Sequence, residues 1–423
     1  RPKTTAEVAQ IVRFCSDRGI GIVPYGGGTG LVGGQVAEHG DMILLSLERM
    51  TALRGIWPEE MVMTVEAGMV LADVQAKADA VERLFPLSLA AEGSARIGGN
   101  LATNAGGTQV LRYGNARDLC LGVEAVLPNG EIFNGLSRLR KDNTGYDLKN
   151  LLIGSEGTLG IITAASLKLF PKPAEIGTAL MAVHVPRVAI DLLNSARDQF
   201  GDAVTGFELM SDQGPKFLAD KMPQIRMPIS PVPKWSVLIE IVGGQGSETV
   251  AWFTDFLGKA MEADLILDAV IAQNEVQRAE IWTMRESIPE ANRLVGSVSS
   301  HDISVPIGAI PEFIETTTPK LAALGVVVNC FGHLGDGNLH YNVFPPKGKT
   351  RADFEDRRDE IKRMVHDAVH ALGGSVSAEH GIGRLKTKDL ELYSDPAKLA
   401  AMRAIKQALD PKGIMNPGVI FKE

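Results

Sequence analysis

Two histidines, His333 and His340, bracket an Asp336-Gly337 pair in the stretch Phe331-Gly332-His333-Leu334-Gly335-Asp336-Gly337-Asn338-Leu339-His340-Tyr341-Asn342. Asp-Gly suits the centre of a type I′ hairpin turn, where both residues need positive φ. Folding the flanks around that turn sets Leu334 opposite Leu339 and His333 opposite His340. Directly opposed side chains on one face have Cβ atoms roughly 5 Å apart. Two imidazoles at that spacing can hold one metal ion. Asn342, two residues beyond His340, points to the same face. Downstream, Ser377-Ala378-Glu379-His380-Gly381-Ile382-Gly383 supplies a carboxylate ligand in Glu379 and a base in His380. A lone pair of histidines beside a turn would read as ordinary surface. With Glu379 and His380 added, a metal site is the stronger reading. Zn²⁺ suits two imidazoles and a carboxylate with an open position, and Mn²⁺ or Fe²⁺ accepts the same ligands.

The elements that position these residues sit in a chain of 423 residues, long enough for two or three domains. A net charge of −8 argues against nucleic acid as partner, because such a footprint is basic. No apolar run is long enough to span a bilayer, and no secretory signal pattern opens the chain. Cys15, Cys120 and Cys330 form no CxxC pair and read as reduced thiols in a cytoplasmic setting. The chain opens at Arg1 without Met, which leaves room for a preceding targeting segment.

Glycine clusters dominate the first third. Thr4 to Arg18 predicts a helix, with Val8, Ile11, Val12 and Cys15 on one face. A short strand leads into Tyr25-Gly26-Gly27-Gly28-Thr29-Gly30-Leu31-Val32-Gly33-Gly34. This contains a formal GxGxxG, but the dinucleotide fingerprint needs a helix directly after it. Here a strand, Met42 to Leu47, follows, so the Rossmann reading fails. Six glycines among the nine positions 26–34 still suit phosphate binding through successive backbone N–H groups. Met61 to Glu66 predicts a strand and Val70 to Ala80 a helix. A second loop runs from Glu92 to Gly107, polar, small and nearly free of bulk. A third, Gly154-Ser155-Glu156-Gly157-Thr158-Leu159-Gly160, is expected between two strands.

The three loops, in this order, resemble the FAD-binding domain of vanillyl-alcohol-oxidase-type (PCMH-type) flavoproteins. The His333 and Glu379 motifs narrow the resemblance to FAD-linked D-2-hydroxyacid dehydrogenases, a family that includes D-lactate dehydrogenase, the glycolate oxidase flavin subunit and D-2-hydroxyglutarate dehydrogenase. It extends along the whole chain. The resemblance implies a pyrophosphate site at Gly26, Gly27, Gly28, Thr29, Gly30 and Leu31. It implies further FAD contacts from Gly93, Ser94, Gly99, Asn100, Thr103 and Asn104, with Gly157 and Ile161 lining the cofactor. Some relatives tether FAD through a histidine in the first loop. Gly28-Thr29-Gly30 has none, so non-covalent FAD is expected.

Past Pro171-Lys172-Pro173 the glycine loops stop. Strands at Met181 to Val185 and Ser236 to Val242 alternate with helices at Val188 to Gln199 and Thr249 to Ala263, as in an α+β domain with an antiparallel sheet. The expected division is a two-part FAD-binding domain at 1–172, a substrate and metal domain at 173–385, and a C-terminal segment at 386–423 returning to the flavin. Ala279 to Ser287 is expected to end a helix. Alone, Arg285 there reads as half of a surface ion pair, for example with Glu290. The resemblance implies instead that Arg285, in Trp-x-x-Arg-Glu, grips the substrate's carboxylate, which suits a rigid guanidinium. It also places Asn416, in Asn416-Pro417-Gly418, at the flavin. Members acting on 2-hydroxyglutarate carry a lysine where Ser300 stands here, which puts a five-carbon diacid in question and keeps D-lactate open. His366 and His370 lie at i, i+4 but without a carboxylate motif, so a solvated helix face is expected there.

The implied reaction is oxidation of a D-2-hydroxy acid to the 2-oxo acid. His333, His340 and Glu379 hold the metal, His380 takes the hydroxyl proton, and the α-hydrogen passes as hydride to flavin N5. Arg285 and Asn342 orient the substrate. Electron-transfer flavoprotein or a quinone is the acceptor implied by the family, and a homodimer is compatible with it. The alternative is a flavin subunit that only relays electrons in a larger complex.

Overall fold

A computed structural model describes residues 1–38 and 40–422. The chain divides into two compact units: one of Arg1–Gln109, Tyr113–Lys172 and Glu379–Glu423, the other of Val110–Arg112 and Pro173–Ala378. Glu379 and His380 thus fall in the first unit, with the glycine loops.

The first unit opens with the helix Thr5–Arg18. The Thr4 hydroxyl accepts from the Glu7 N–H at 3.2 Å, and Gly19, at φ 64°, stops the helix. Val8, Val12 and Cys15 are buried on its inner face. The strands Gly21–Tyr25 (β1) and Met42–Ser46 (β2) pair in parallel. No helix intervenes among the described residues, so the first glycine loop joins two strands as its sequence requires. Five strands form an antiparallel sheet: Leu53–Trp57 (β3), Val62–Glu66 (β4), Cys120–Val126 (β6), Ile132–Asn134 (β7) and Ile161–Lys168 (β8). Their order is β3-β4-β8-β6-β7. Arg83–Leu84 (β5) pairs with Phe170–Pro171 (β9). Within this sheet Glu124 is buried and accepts from Thr5 Oγ1 at 2.6 Å, Thr163 Oγ1 at 2.8 Å and Arg54 Nη1 at 3.1 Å. Burial pushes its pKa up, but these partners outweigh burial and hold it below the usual value. The third glycine loop departs from expectation. It is preceded by a short helix, Leu148–Leu152, capped by Asp147, because a side chain that accepts the Asn150 N–H at 3.0 Å stabilises a helical first turn.

The second unit is built on a seven-stranded antiparallel sheet. Its strands are Glu175–Val183 (β10), Val204–Ser211 (β11), Trp235–Gly243 (β12), Asp268–Ile271 (β13), Asp302–Ser304 (β14), Val327–His333 (β15) and Asn338–Phe344 (β16), in the order β13-β10-β12-β11-β15-β16-β14. The helix Glu275–Val295 lays Ile281, Met284, Ile288 and Ala291 on Leu180, Met210, Leu238 and Phe331. Burying such side chains stabilises the unit by roughly 1.5–3 kcal/mol for each large one. Asn274 caps this helix, accepting from the Gln277 N–H at 3.0 Å. Arg285 therefore sits mid-helix, not at an end, and is buried rather than paired with Glu290 at the surface. Glu290 bonds Arg293 instead. His366 also departs from expectation. It is 2% exposed, with its ring 5.1 Å from that of His301, because its side of the helix Arg358–Ala371 is the buried one.

Candidate active site

The histidine hairpin differs in register from the simple turn. β15 pairs Phe331 with His340 and Cys330 with Tyr341, and residues 334–337 form a longer turn. The slip is by two residues, one full pleat repeat, so it keeps both histidines on one face. They meet diagonally, with ring centroids 5.6 Å apart and planes at 78°. Each offers a ring nitrogen within 4.8 Å of the other. Two imidazoles sharing a tetrahedral ion, with Zn–N about 2.0–2.1 Å, have centroids about 5 Å apart, so the donor geometry fits a divalent metal. The ring of Phe331 lies 5.0 Å from that of His340, and the Arg285 guanidinium stands 4.8 Å above Phe331.

Each histidine faces a carboxylate on the neighbouring strand. Register sets Glu208 of β11 opposite His333, and Asp302 of β14 opposite His340. Glu208 is fully buried. Its Oε1 lies 2.5 Å from His333 Nδ1, and its Oε2 accepts from Arg285 Nε at 2.8 Å and lies 2.6 Å from Nη2. Burial alone would raise its pKa, yet the charges of Arg285 and His333 overcome that and hold it at about 2. An ionised carboxylate only accepts, so Nδ1 carries the proton, which leaves Nε2 as the ring nitrogen able to offer a lone pair. Asp302 accepts from Asn338 Nδ2 at 2.9 Å and lies 3.9 Å from His340 Nδ1. Asn342 Oδ1 accepts the His301 N–H at 3.1 Å. Ser300 is exposed and shares a hydrogen bond of 2.7 Å with Ser297.

In the first unit the glycine loops touch backbone to backbone. A Cβ on Gly27 would collide with the Ser94 carbonyl, and one on Gly26 would meet Gly99 Cα at 3.4 Å. Gly28, Thr29, Gly30 and Leu31 continue this loop, with Leu31 65% exposed and Gly30 O accepting from Gln35 Nε2 at 2.7 Å. Gly93 and Ser94 sit in the turn before the helix Ile97–Ala102. Asn100, on that helix, is 6% exposed, and its Oδ1 has no hydrogen-bond partner among the described residues. Thr103 Oγ1 donates to Gly99 O at 3.0 Å, and Asn104 Oδ1 accepts the Arg117 N–H at 2.9 Å. Gly157 packs on Pro24, and the Ile161 side chain belongs to the hydrophobic core.

Asn416 ties these loops together. Its Nδ2 donates to Gly34 O at 3.0 Å and to Glu156 O at 2.8 Å, joining the first loop to the third, while its buried Oδ1 has no partner among the described residues. Glu156 in turn accepts from the Ile382 and Gly383 N–H groups, both at 2.8 Å, and so fixes the segment after His380. Glu379 is seated on the second loop. Its Oε1 accepts the Gly107 N–H at 2.9 Å and fills the space a Cβ on Gly106 would need. The orphaned oxygens of Asn100 and Asn416, beside exposed glycine backbone, fit a large polar cofactor such as FAD.

Glu208, Asp302 and Glu156 do not stand out as site residues in the sequence motifs. The signal for Glu208 was present: one carboxylate in the apolar strand Phe207-Glu208-Leu209-Met210.

Comparison with known proteins shows the family of the chain. Residues 172–420 match the C-terminal domain of FAD linked oxidases, and residues 1–135 match an FAD binding domain. The mitochondrial D-2-hydroxyglutarate dehydrogenase of Arabidopsis thaliana is 37% identical over 98% of this chain and 73% of its own length. That of Danio rerio is 38% identical over 99% and 77%. Among solved structures, p-cresol methylhydroxylase with substrate bound superposes with a TM-score of 0.76 at 17% identity, covering 99% of this chain and 87% of that one. At that identity the likeness concerns the fold. No helix among the described residues is long and apolar enough to cross a membrane.

Proposed function

The chain belongs to the FAD-linked oxidase family, and from that premise we propose that it oxidises D-2-hydroxyglutarate to the 2-oxo acid with FAD and one divalent metal. The observation that carries this reading is the chain from Arg285, on the helix, through Glu208 to His333, beside His340 on the sheet. A carboxylate-binding cation and a metal-binding imidazole stand on the same buried anion.

FAD held non-covalently by the glycine loops would supply the oxidant that takes up the α-hydrogen. A divalent ion held by His333, His340 and Glu379 would supply Lewis-acid charge that lowers the pKa of the 2-hydroxyl. The protein's own groups do the rest. Arg285 orients the substrate carboxylate through its remaining N–H donors. His380 accepts the hydroxyl proton, a task suited to an imidazole near neutral pH. Asn342 hydrogen-bonds the substrate oxygens. The electron acceptor in this reading is electron-transfer flavoprotein or a quinone.

A second substrate, D-lactate, is favoured by one observation. Ser300 offers a hydroxyl already shared with Ser297, where a distal carboxylate would call for a cation. The deciding experiment is an anaerobic visible spectrum of the flavin before and after D- and L-2-hydroxyglutarate and D- and L-lactate. Bleaching by the D-acids and not the L-acids is expected, with D-2-hydroxyglutarate the faster. Flavin that no hydroxy acid bleaches, with Zn²⁺ or Mn²⁺ supplied, would sink the dehydrogenase reading and favour an electron-relay subunit. His380→Ala should keep FAD and lose bleaching; retained bleaching would remove His380 from its role.

A further inference from the structure

We propose that Glu208 is a positioning residue that couples the metal ligand His333 to the substrate-binding Arg285. The proposal rests on the metal and carboxylate roles given above. Glu208 is 0% exposed, and an anion so placed is retained only with strong partners. Its two oxygens go to two different residues, Oε1 to His333 and Oε2 to Arg285. Accepting the Nδ1 proton locks the His333 ring and raises the basicity of Nε2. Accepting from Nε fixes the plane of the guanidinium. One carboxylate thus aims both groups, and a shift of either is transmitted to the other.

The same helix contains its own control. Two turns earlier Arg278 meets a second buried glutamate, Glu240 of β12. Glu240 accepts from Arg278 Nε at 2.7 Å and Nη2 at 3.1 Å, from Trp282 Nε1 at 2.8 Å and from Thr178 Oγ1 at 2.8 Å. Its acceptors are filled by groups with no place in the proposed site. Glu240 is thus the purely structural counterpart of Glu208.

The test uses the full-length, FAD-loaded protein and measures Zn²⁺ affinity by chelator competition, together with KM and kcat for D-2-hydroxyglutarate. Gln at position 208 has one acceptor oxygen and no charge, so it cannot serve both partners. Glu208→Gln is expected to weaken Zn²⁺ binding about 10–100-fold and to raise KM, with flavin content unchanged. Glu240→Gln should move neither. Unchanged Zn²⁺ affinity and KM in Glu208→Gln would overturn the proposal, as would equal losses in Glu240→Gln. Should Glu208→Gln fail to retain flavin, Glu208→Asp, too short to span both partners, is read by the same criteria. A wild-type protein that takes up no Zn²⁺ overturns the metal reading itself. Tight wild-type binding with an unaffected variant overturns the role of Glu208 alone.

Discussion

The two units equip their candidate sites by opposite means. In the first, the residues proposed to hold the cofactor are mostly glycines and small polar residues, and the groups they offer are backbone N–H and C=O. Close approach of Gly27 to Ser94 and seating of Glu379 on Gly106 and Gly107 both depend on having no side chain there. In the second, the working groups are long side chains on regular strands and one helix, held by buried charge. The difference follows from the ligands assigned to each. A large cofactor needs many weak contacts along an extended surface, and loops of backbone supply them. A small hydroxy acid needs a few strong, directed groups, and these must be locked by neighbours.

The comparison can be broken most directly at Gly27. Gly27→Val should abolish FAD retention, seen as loss of the yellow colour, while Zn²⁺ binding at His333, His340 and Glu379 persists. Loss of both together would show that the units do not divide the work this way. Next in size is Arg285→Ala. It strands a buried carboxylate, which costs about 3–5 kcal/mol, read as a lower urea midpoint with flavin still bound to the native protein. A variant as stable as wild type would show that Glu208 is not held by Arg285. Asn416→Ala removes a hydrogen bond to the buried Glu156 carbonyl and one to the part-buried Gly34 carbonyl, the buried one worth about 1–3 kcal/mol when its partner is left unsatisfied. Faster FAD dissociation with unchanged metal affinity is expected; the reverse pattern would place Asn416 with the second unit's chemistry.

The smallest effect concerns pH. The folded pKa of Glu124 lies below that of an unfolded glutamate, about 4.3. The group therefore stabilises the first unit above that value, and its contribution is lost as pH falls below it. Glu124→Gln should cost about 1 kcal/mol at pH 7 and progressively less in acid. A stability difference independent of pH would show that the Arg54–Glu124 pair is not its source.

Local signals in the chain were reliable where one element decides the outcome. Thr4 and Gly19 mark the ends of the first helix because caps are local chemistry. The absence of a helix after Gly33 was readable from composition, and β2 follows as expected. The histidine pair was readable in type and face but not in register, since a two-residue slip preserves the alternating pattern and only the turn geometry separates the options. The role proposed for Arg285 toward a substrate carboxylate came only through family likeness. Its placement mid-helix over Glu208, 77 positions away, is a long-range fact.

By itself the sequence determined the glycine loops, the histidine motif and the two classes of segment, because periodicity, caps and turn chemistry act over a few residues; the family came from the likeness of its motifs. Only the tertiary structure decided that Glu208 and Asp302 stand opposite His333 and His340, that Asn416 bridges two loops, and that His366 is buried. Those outcomes depend on which strands become neighbours, and strand pairing is settled by the packing of the whole sheet.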